Sequence, residues 1–306
     1  MGRGSAPGTV DTDVQGIAAV HWNPVRRDAD GTARSVDNFG DLIGPLVVAG
    51  MLDRLAVTTS AAVRRRLLSV GSVLHFAREG DVVWGSGING KEKVASSSLP
   101  PIDVRAVRGP ATRRRLRAQG IDVPPVFGDP ALLLPLFMPD LVEIARAEPT
   151  RDVTIIPNFH DVEPAGEDSR VIDPRRPIAE VLRAIAGSRL IVGSSLHGVV
   201  VAEAFGRPAR VVRSRSEHYL KYFDYYAGTG RYDVQFAADV SEAIALGGVE
   251  RGTYDLKGLQ DAFPIDLWTG GDPSTPLSGS VPQETDDRIA AGEKFAEGQM
   301  GSGTTG

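Results

Sequence analysis

Residues 193–198 read GSSLHG, follow the apolar run Leu190, Ile191, Val192, and lead into a helical pattern carrying Ala202, Ala204 and Gly206. The N-terminus of such a helix offers free amides and a partial positive charge, which makes Ser195, Leu196 and Gly198 candidates for holding an anion. His197 in the same turn can donate to that anion or exchange a proton near neutral pH. The plainer reading of one His is a hydrogen-bonded core residue. A serine nucleophile on a strand-to-helix elbow requires GxSxG, and the spacing here is GxSxxG.

Asp41 is the second acid–base candidate. It lies in NFGDLIGPL, where Asn38 can cap a helix and Asp41 falls in its first turn, facing the strand ends; a simple capping motif favoured by the helix dipole is the alternative. Arg108 ends an apolar strand just before Pro110 at a helix start, where its planar fork can grip a carboxylate or phosphate. Arg113, Arg114, Arg115 and Arg117 follow on that helix and read as a solvated face. Gly85, Ser86 and Gly87 lie in VVWGSGING, which spells GxGxxG after a strand. That fingerprint binds a dinucleotide only if a helix begins within it, and residues 91–101 show no helical period. A glycine-rich loop lining a cleft is the reading kept. Asp129, in GDPALLLP, is equally a turn residue or a functional carboxylate. Residues 217–226 carry His218, Tyr219, Lys221, Tyr222, Tyr225 and Tyr226, and tyrosines in such density can stack on sugars, close a lid, or pack one half against the other. Asn158, His160 and Asp161 are too few ligands to argue for a metal.

Alternating apolar runs and helical periods must position these groups. The pattern predicts strands over 16–22, 81–84 and 102–107 with helices over 41–52 and 111–119. It then predicts strands over 153–156, 189–192 and 209–213 with helices over 178–186, 197–205 and 217–226. This order predicts an α/β fold of parallel sheets flanked by helices, whose ligands bind at the carboxyl ends of the strands. Prolines at 135, 139 and 149 interrupt the series, so the expected division is a domain over 14–148 and another over 149–268. Residues 1–13 and 269–306 are rich in Gly, Ser, Pro and Thr, and read as a disordered arm and a disordered acidic tail.

The 306 residues are 42% hydrophobic, long enough for two domains. With no Cys, a disulfide scaffold, a thiolate metal site and a thiol nucleophile are excluded. The formal charge of -5 resides wholly in the two ends, so residues 14–268 are formally neutral. No global basic footprint argues for nucleic acid. No run of about 18 apolar residues suggests a membrane span, and the expected location is the cytoplasm.

Taken in order, NFGDLIGPL, VVWGSGI, VRGPAT, GDPALLLP, IIPNFHD and GSSLHGVVVAEAFGRP resemble the motifs of the polysaccharide pyruvyl transferase family over residues 38–226. The resemblance implies two Rossmann-like domains facing across a cleft, the GT-B-like arrangement, with the N-terminal domain on the acceptor side and the C-terminal one on the donor side. It implies transfer of the enolpyruvyl unit of phosphoenolpyruvate onto hydroxyls of a sugar, in a polysaccharide or a lipid-linked precursor, giving a pyruvate ketal. No cofactor, metal or nucleic acid is implied. A lipid-linked acceptor would bring the protein to the inner face of the cell membrane as a peripheral partner. Arg108 and the amides at His197 and Gly198 are then expected to hold the two anionic groups, with Asp41 and His197 as base and acid in either order. Some members carry Arg where Ser195 stands, so one anion contact is either missing here or supplied elsewhere, with Arg213 and Arg215 as the candidates. Two rival readings are a nucleotide-sugar glycosyltransferase, with Glu203 toward a ribose, and a non-catalytic subunit of a polysaccharide machine.

Overall fold

The computed structural model describes residues 8–27, 30–91, 99–162, 168–270 and 286–300. Strands β1 (Thr9–Val14) and β2 (Ile17–Trp22) form a hairpin, and β3 (Val25–Arg27) and β4 (Ala33–Ser35) form a second one outside the main sheets. Helix α1 (Phe39–Arg54), β5 (Arg66–Leu68), β6 (Val82–Trp84), β7 (Asp103–Ala106) and α2 (Pro110–Arg117) complete the first half. A 3-10 turn (Pro130–Leu136) and α3 (Pro139–Arg146) lead to β8 (Arg151–Ile155), α4 (Ile178–Ala186), β9 (Ser188–Gly193), α5 (Leu196–Ala204) and β10 (Ala209–Val211). Helices α6 (Leu220–Ala227), α7 (Val240–Leu246), α8 (Leu256–Asp261), α9 (Asp266–Thr269) and α10 (Asp286–Met300) follow.

The fold is α/β, as the alternation predicts. The first sheet has the order β1-β2-β5-β6-β7; β1 runs antiparallel to β2 and the remaining pairs are parallel, so this sheet is mixed rather than purely parallel. The second sheet, β10-β9-β8, is parallel throughout. Continuous apolar runs explain the central strands: β2 is buried from Ile17 to His21 and β6 along its whole length, the pattern of strands covered on both faces. Helix α1 buries Phe39, Ile43, Val47 and Met51 at near-helical spacing.

Three expectations are revised. Residues 9–13 are not an arm, because β1 pairs with β2 from Thr9↔Trp22 to Val14↔Ile17. The tail is not wholly irregular. Helix α10 buries Ile289 and Ala296, sets Glu293 against Arg114 and Arg115, and uses the Gln299 amide to bind Phe236 N–H and Val234 C=O. Residues 271–285, the rest of the expected tail before that helix, lie outside the described residues, as do 1–7 and 301–306. Its Gly-rich composition hid a docking face of only a few apolar residues.

The segment ending at residue 268 does not stay with the second sheet. The indole N–H of Trp84 donates to Leu259 C=O at 2.8 Å, the indole of Trp268 to Val14 C=O at 3.1 Å, and Arg105 forms a paired fork with Asp266. Helices α8 and α9 thus pack on the first sheet, and one apolar cluster continues across residue 149 from β2 and α1 to α5 and α6.

Trp84 is fully buried, edge-on to Phe263 with ring centroids 5.0 Å apart. Trp84→Ala is expected to cost about 3–5 kcal/mol, read as a lowered urea midpoint.

Candidate active site

The parallel strands of both sheets turn their carboxyl ends toward one cleft of ≈ 270 Å³. Trp22 reaches it from the end of β2, Ser72 and Val73 from the loop after β5, and Asn89 and Lys91 from the loop after β6. From the second sheet come Asn158 and Phe159 after β8, Ser195 to His197 after β9, and Glu217 and Lys221 beyond β10. This is where open α/β sheets bind ligands, because helix N-termini and loop backbones converge there.

Asp41 and His197 both line the cleft. Each sits in the first turn of its helix, Asp41 on α1 and His197 on α5. Asn38 does not cap the α1 backbone. Its amide donates to Asp41 Oδ2 at 2.5 Å instead. Burial pushes the Asp41 carboxyl up to about 6, against the pull of His197 and of the Asn38 amide. The imidazole of His197 lies against Gly40, where an added Cβ would sit 2.4 Å from Nδ1.

The positive charge in the cleft comes from Lys, not Arg. Lys221 Nζ lies 3.1 Å from Glu217 Oε2, and Lys91 Nζ 2.6 Å from Oε1 of the same carboxylate. Two of the chain's five lysines therefore meet one carboxylate, an arrangement with a net positive charge. Burial lowers the Lys221 pKa while Glu217 pulls it back up. Burial alone would raise Glu217, and the two lysines turn the shift downward. Behind them, Asp161 accepts from the hydroxyls of Ser214 (2.5 Å) and Ser216 (2.7 Å), tying the loop after β10 to the 3-10 turn Phe159–Asp161. Trp22 meets Phe159 edge-on at 5.2 Å and forms an aromatic wall.

Several anticipated contacts are made to protein instead. Arg108 is fully buried and outside the cleft: its Nε and Nη2 lie 3.2 Å from Asp224 Oδ2, while Nη2 also donates to Ile88 C=O and Nη1 to Ser72 Oγ. Its fork is already used by protein partners in this arrangement. Gly85 (φ +86) turns against Pro130, Ser86 Oγ donates to Gly71 C=O, and Gly87 gives the Arg108 guanidinium room that a Cβ would fill at 2.4 Å. These three shape the loop behind the cleft and do not line it. Ser195 caps α5 by accepting from Gly198 N–H at 3.2 Å, so that amide is taken. Leu196 lines the cleft. Glu203 is remote from it, held by Arg231 and the hydroxyls of Tyr225 and Tyr254. Tyr222, Tyr225 and Tyr226 are buried packing residues, not a sugar platform.

Sequence reading takes Lys221 only as one of the aromatic and basic residues of 217–226, and gives Glu217, Ser72 and Asn89 no role of their own. The scarcity of Lys among 34 basic residues is the one signal that sets Lys91 and Lys221 apart. Among the described residues, no group of three or more His, Asp or Glu side chains is arranged to hold a metal, and no helix is long and apolar enough to cross a membrane.

The sequence model of the family described as polysaccharide pyruvyl transferase matches residues 58–216. A curated relative, the succinoglycan biosynthesis protein ExoV of Rhizobium meliloti (strain 1021), is 32% identical over 173 residues, 52% of each chain. The match thus spans about half the length of that relative. A solved structure of an uncharacterized protein from Klebsiella pneumoniae superposes on 62% of this chain and 83% of its own, at 12% identity and a TM-score of 0.40, too low to carry an argument.

Removing Arg108 leaves Asp224 charged and buried. Arg108→Ala is expected to cost about 3–5 kcal/mol in chemical denaturation, with no folded, fully active protein recovered. Asp41, whose folded pKa is raised from 3.8 to about 6, contributes stability that is full below about pH 4 and lost as pH rises through 6. Asp41→Asn should flatten the stability profile measured between pH 4 and 7.

Proposed function

Because the chain belongs to the polysaccharide pyruvyl transferase family, we propose that this cleft transfers the enolpyruvyl group of phosphoenolpyruvate to two hydroxyls of one sugar, in exopolysaccharide synthesis. The observation that carries this reading is that Asp41 and His197, from helices on different sheets, share one cleft with the Lys91 and Lys221 ammonium groups. A donor with a carboxylate and a phosphate needs positive charge and groups that exchange protons, which supports this reading of a cleft lined by two ammonium groups, a carboxyl and an imidazole. The biosynthetic role named for the Rhizobium relative fits a glycan acceptor.

In this reading Lys221 and Lys91 attract the donor's anionic groups, and Trp22 and Phe159 give the acceptor sugar an apolar wall. Protonation of the donor's methylene carbon by a proton drawn from solvent makes C2 electrophilic, and a sugar hydroxyl attacks it while Asp41 takes the hydroxyl proton and returns it to solvent. Phosphate leaves with a proton from His197, and a second hydroxyl of the same sugar closes the ketal as His197 takes its proton. The two hydroxyl protons thereby balance the one on the new methyl group and the one on phosphate. Asp41 and His197 can exchange these roles. The first sheet would serve the acceptor and the second the donor, in the GT-B manner, and a lipid-linked acceptor would be met at the inner membrane face.

The test follows phosphate release from phosphoenolpyruvate with a panel of oligosaccharide acceptors. Asp41→Asn and His197→Gln should each lower kcat by about 10²- to 10⁴-fold. With Asp41 as the base, wild-type kcat/KM should rise with pH through about 6 as Asp41 loses its proton; with the roles exchanged it should fall there. Wild-type rates in both folded variants would overturn the assignment.

A further inference from the structure

Asp129 does two things with its two oxygens. It ends the loop before the 3-10 turn Pro130–Leu136, where Oδ1 accepts the Ala131 N–H at 3.0 Å and caps that turn. Its other oxygen, Oδ2, is buried and has no hydrogen-bond partner. The nearest charge-bearing group across from it is His197 Nε2, 3.7 Å away, which is likewise buried and without a partner. The carboxylate is fully buried and the His side chain 12% exposed.

Two unpartnered polar atoms facing each other are costly if they stay apart, about 1–3 kcal/mol for each buried group left unsatisfied. A gap of 3.7 Å is longer than a hydrogen bond, but less than 1 Å of closure would make it one. Catalytic hydrogen bonds are commonly long in an unliganded site and tighten when substrate arrives. The 3-10 turn that carries Asp129 packs directly on α5, which carries His197, so a small shift of either element closes the gap. On its other side, Nδ1 lies over the bare α-carbon of Gly40 at the start of α1, beside Asp41.

We infer that Asp129 is the positioning residue for His197: it accepts the Nε2–H, fixes that tautomer, and leaves Nδ1 over Gly40 as the atom that exchanges protons with the substrate. The inference rests on reading His197 as an acid–base group of the cleft, and it adds which ring nitrogen works and what holds the other. No atom is transferred to Asp129. Its role is to steady the imidazolium while Nδ1 carries the extra proton, as a carboxylate behind an acid–base His does elsewhere. Gly40 has an ordinary helical role for its backbone, so its lack of a side chain is explained by the imbalance of space: a methyl group there would displace the ring.

The experiment uses the full chain. Asp129→Asn keeps the Oδ1 cap but replaces the accepting carboxylate with an amide. Imidazole 15N shifts, assigned among the five His by comparison with His197→Gln, should report the Nε2-protonated tautomer in the wild type at neutral pH and a mixed or inverted tautomer in Asp129→Asn. Phosphate release from phosphoenolpyruvate should fall at least about tenfold in kcat with KM little changed. Gly40→Ala should lose some stability through overpacking yet stay folded, and should lower kcat by moving Nδ1. An unchanged His197 tautomer in Asp129→Asn overturns the inference, as does an unchanged kcat. If wild-type protein releases no phosphate from phosphoenolpyruvate with any acceptor, the functional reading fails, while the tautomer result still decides the Asp129–His197 contact.

Discussion

The buried ion pair between Arg108 and Asp224 is the constraint on which the cleft depends. Arg108 stands after β7 and reaches back to Ser72 after β5 and to Ile88 after β6, so a single guanidinium gathers three strand ends of the first sheet. Asp224 answers from α6 and also accepts the N–H and hydroxyl of Thr112 at the start of α2, at 2.9 and 2.7 Å. The same helix carries Lys221 one turn earlier, and its Tyr222 hydroxyl donates to Ser194 C=O at the end of β9. The first sheet's loops, α6 and the second sheet's site strand are therefore registered through one pair. Such a pair adds little net stability over apolar residues of the same shape, since both charges were taken out of water. Its value is geometric, because breaking it is expensive and only one arrangement satisfies all its hydrogen bonds.

Around that frame the cleft is a set of charges under tension. Asp41 is held partly out of water next to one amide and one imidazole, so its proton affinity lies close to neutral. Lys221 and Lys91 share Glu217, which neutralises one of the two cations and keeps two bare ammonium groups from facing each other. Low local dielectric strengthens each of these interactions, so small displacements of α1, α5 or α6 change the chemistry markedly.

The local elements were legible because short-range patterns produce them. Residues 16–22 form a near-continuous apolar run and residues 41–52 and 178–186 repeat apolar residues near 3.6, and the structure forms β2, α1 and α4 there. Strand β5 was missed: three arginines at 64–66 precede only two apolar residues, and its pairing with β2 and β6 is set by neighbours distant in the chain. The docking of α8 and α9 on the first sheet was equally invisible, since it rests on indole and guanidinium contacts spanning 161 to 254 residues. Asp41, Asn38, Leu196, Ser195 and His197, singled out by helix-start chemistry, line the cleft. Lys221 looked like one residue of a tyrosine-rich packing helix, and Arg108 looked free because its partner lies 116 residues away.

Sequence alone determined which residues could carry charge and protons, the alternation of strands and helices, and the family motifs over 38–226, because these depend on residue type and on spacing within a few turns. The tertiary structure decided which charges remain available. It paired Arg108 with Asp224, took the Gly198 amide for Ser195, left Lys91 and Lys221 in the cleft, and set Asp129 behind His197. The physical reason is that a charge's role depends on what it faces after burial, and the facing groups here come from segments separated by tens to hundreds of residues.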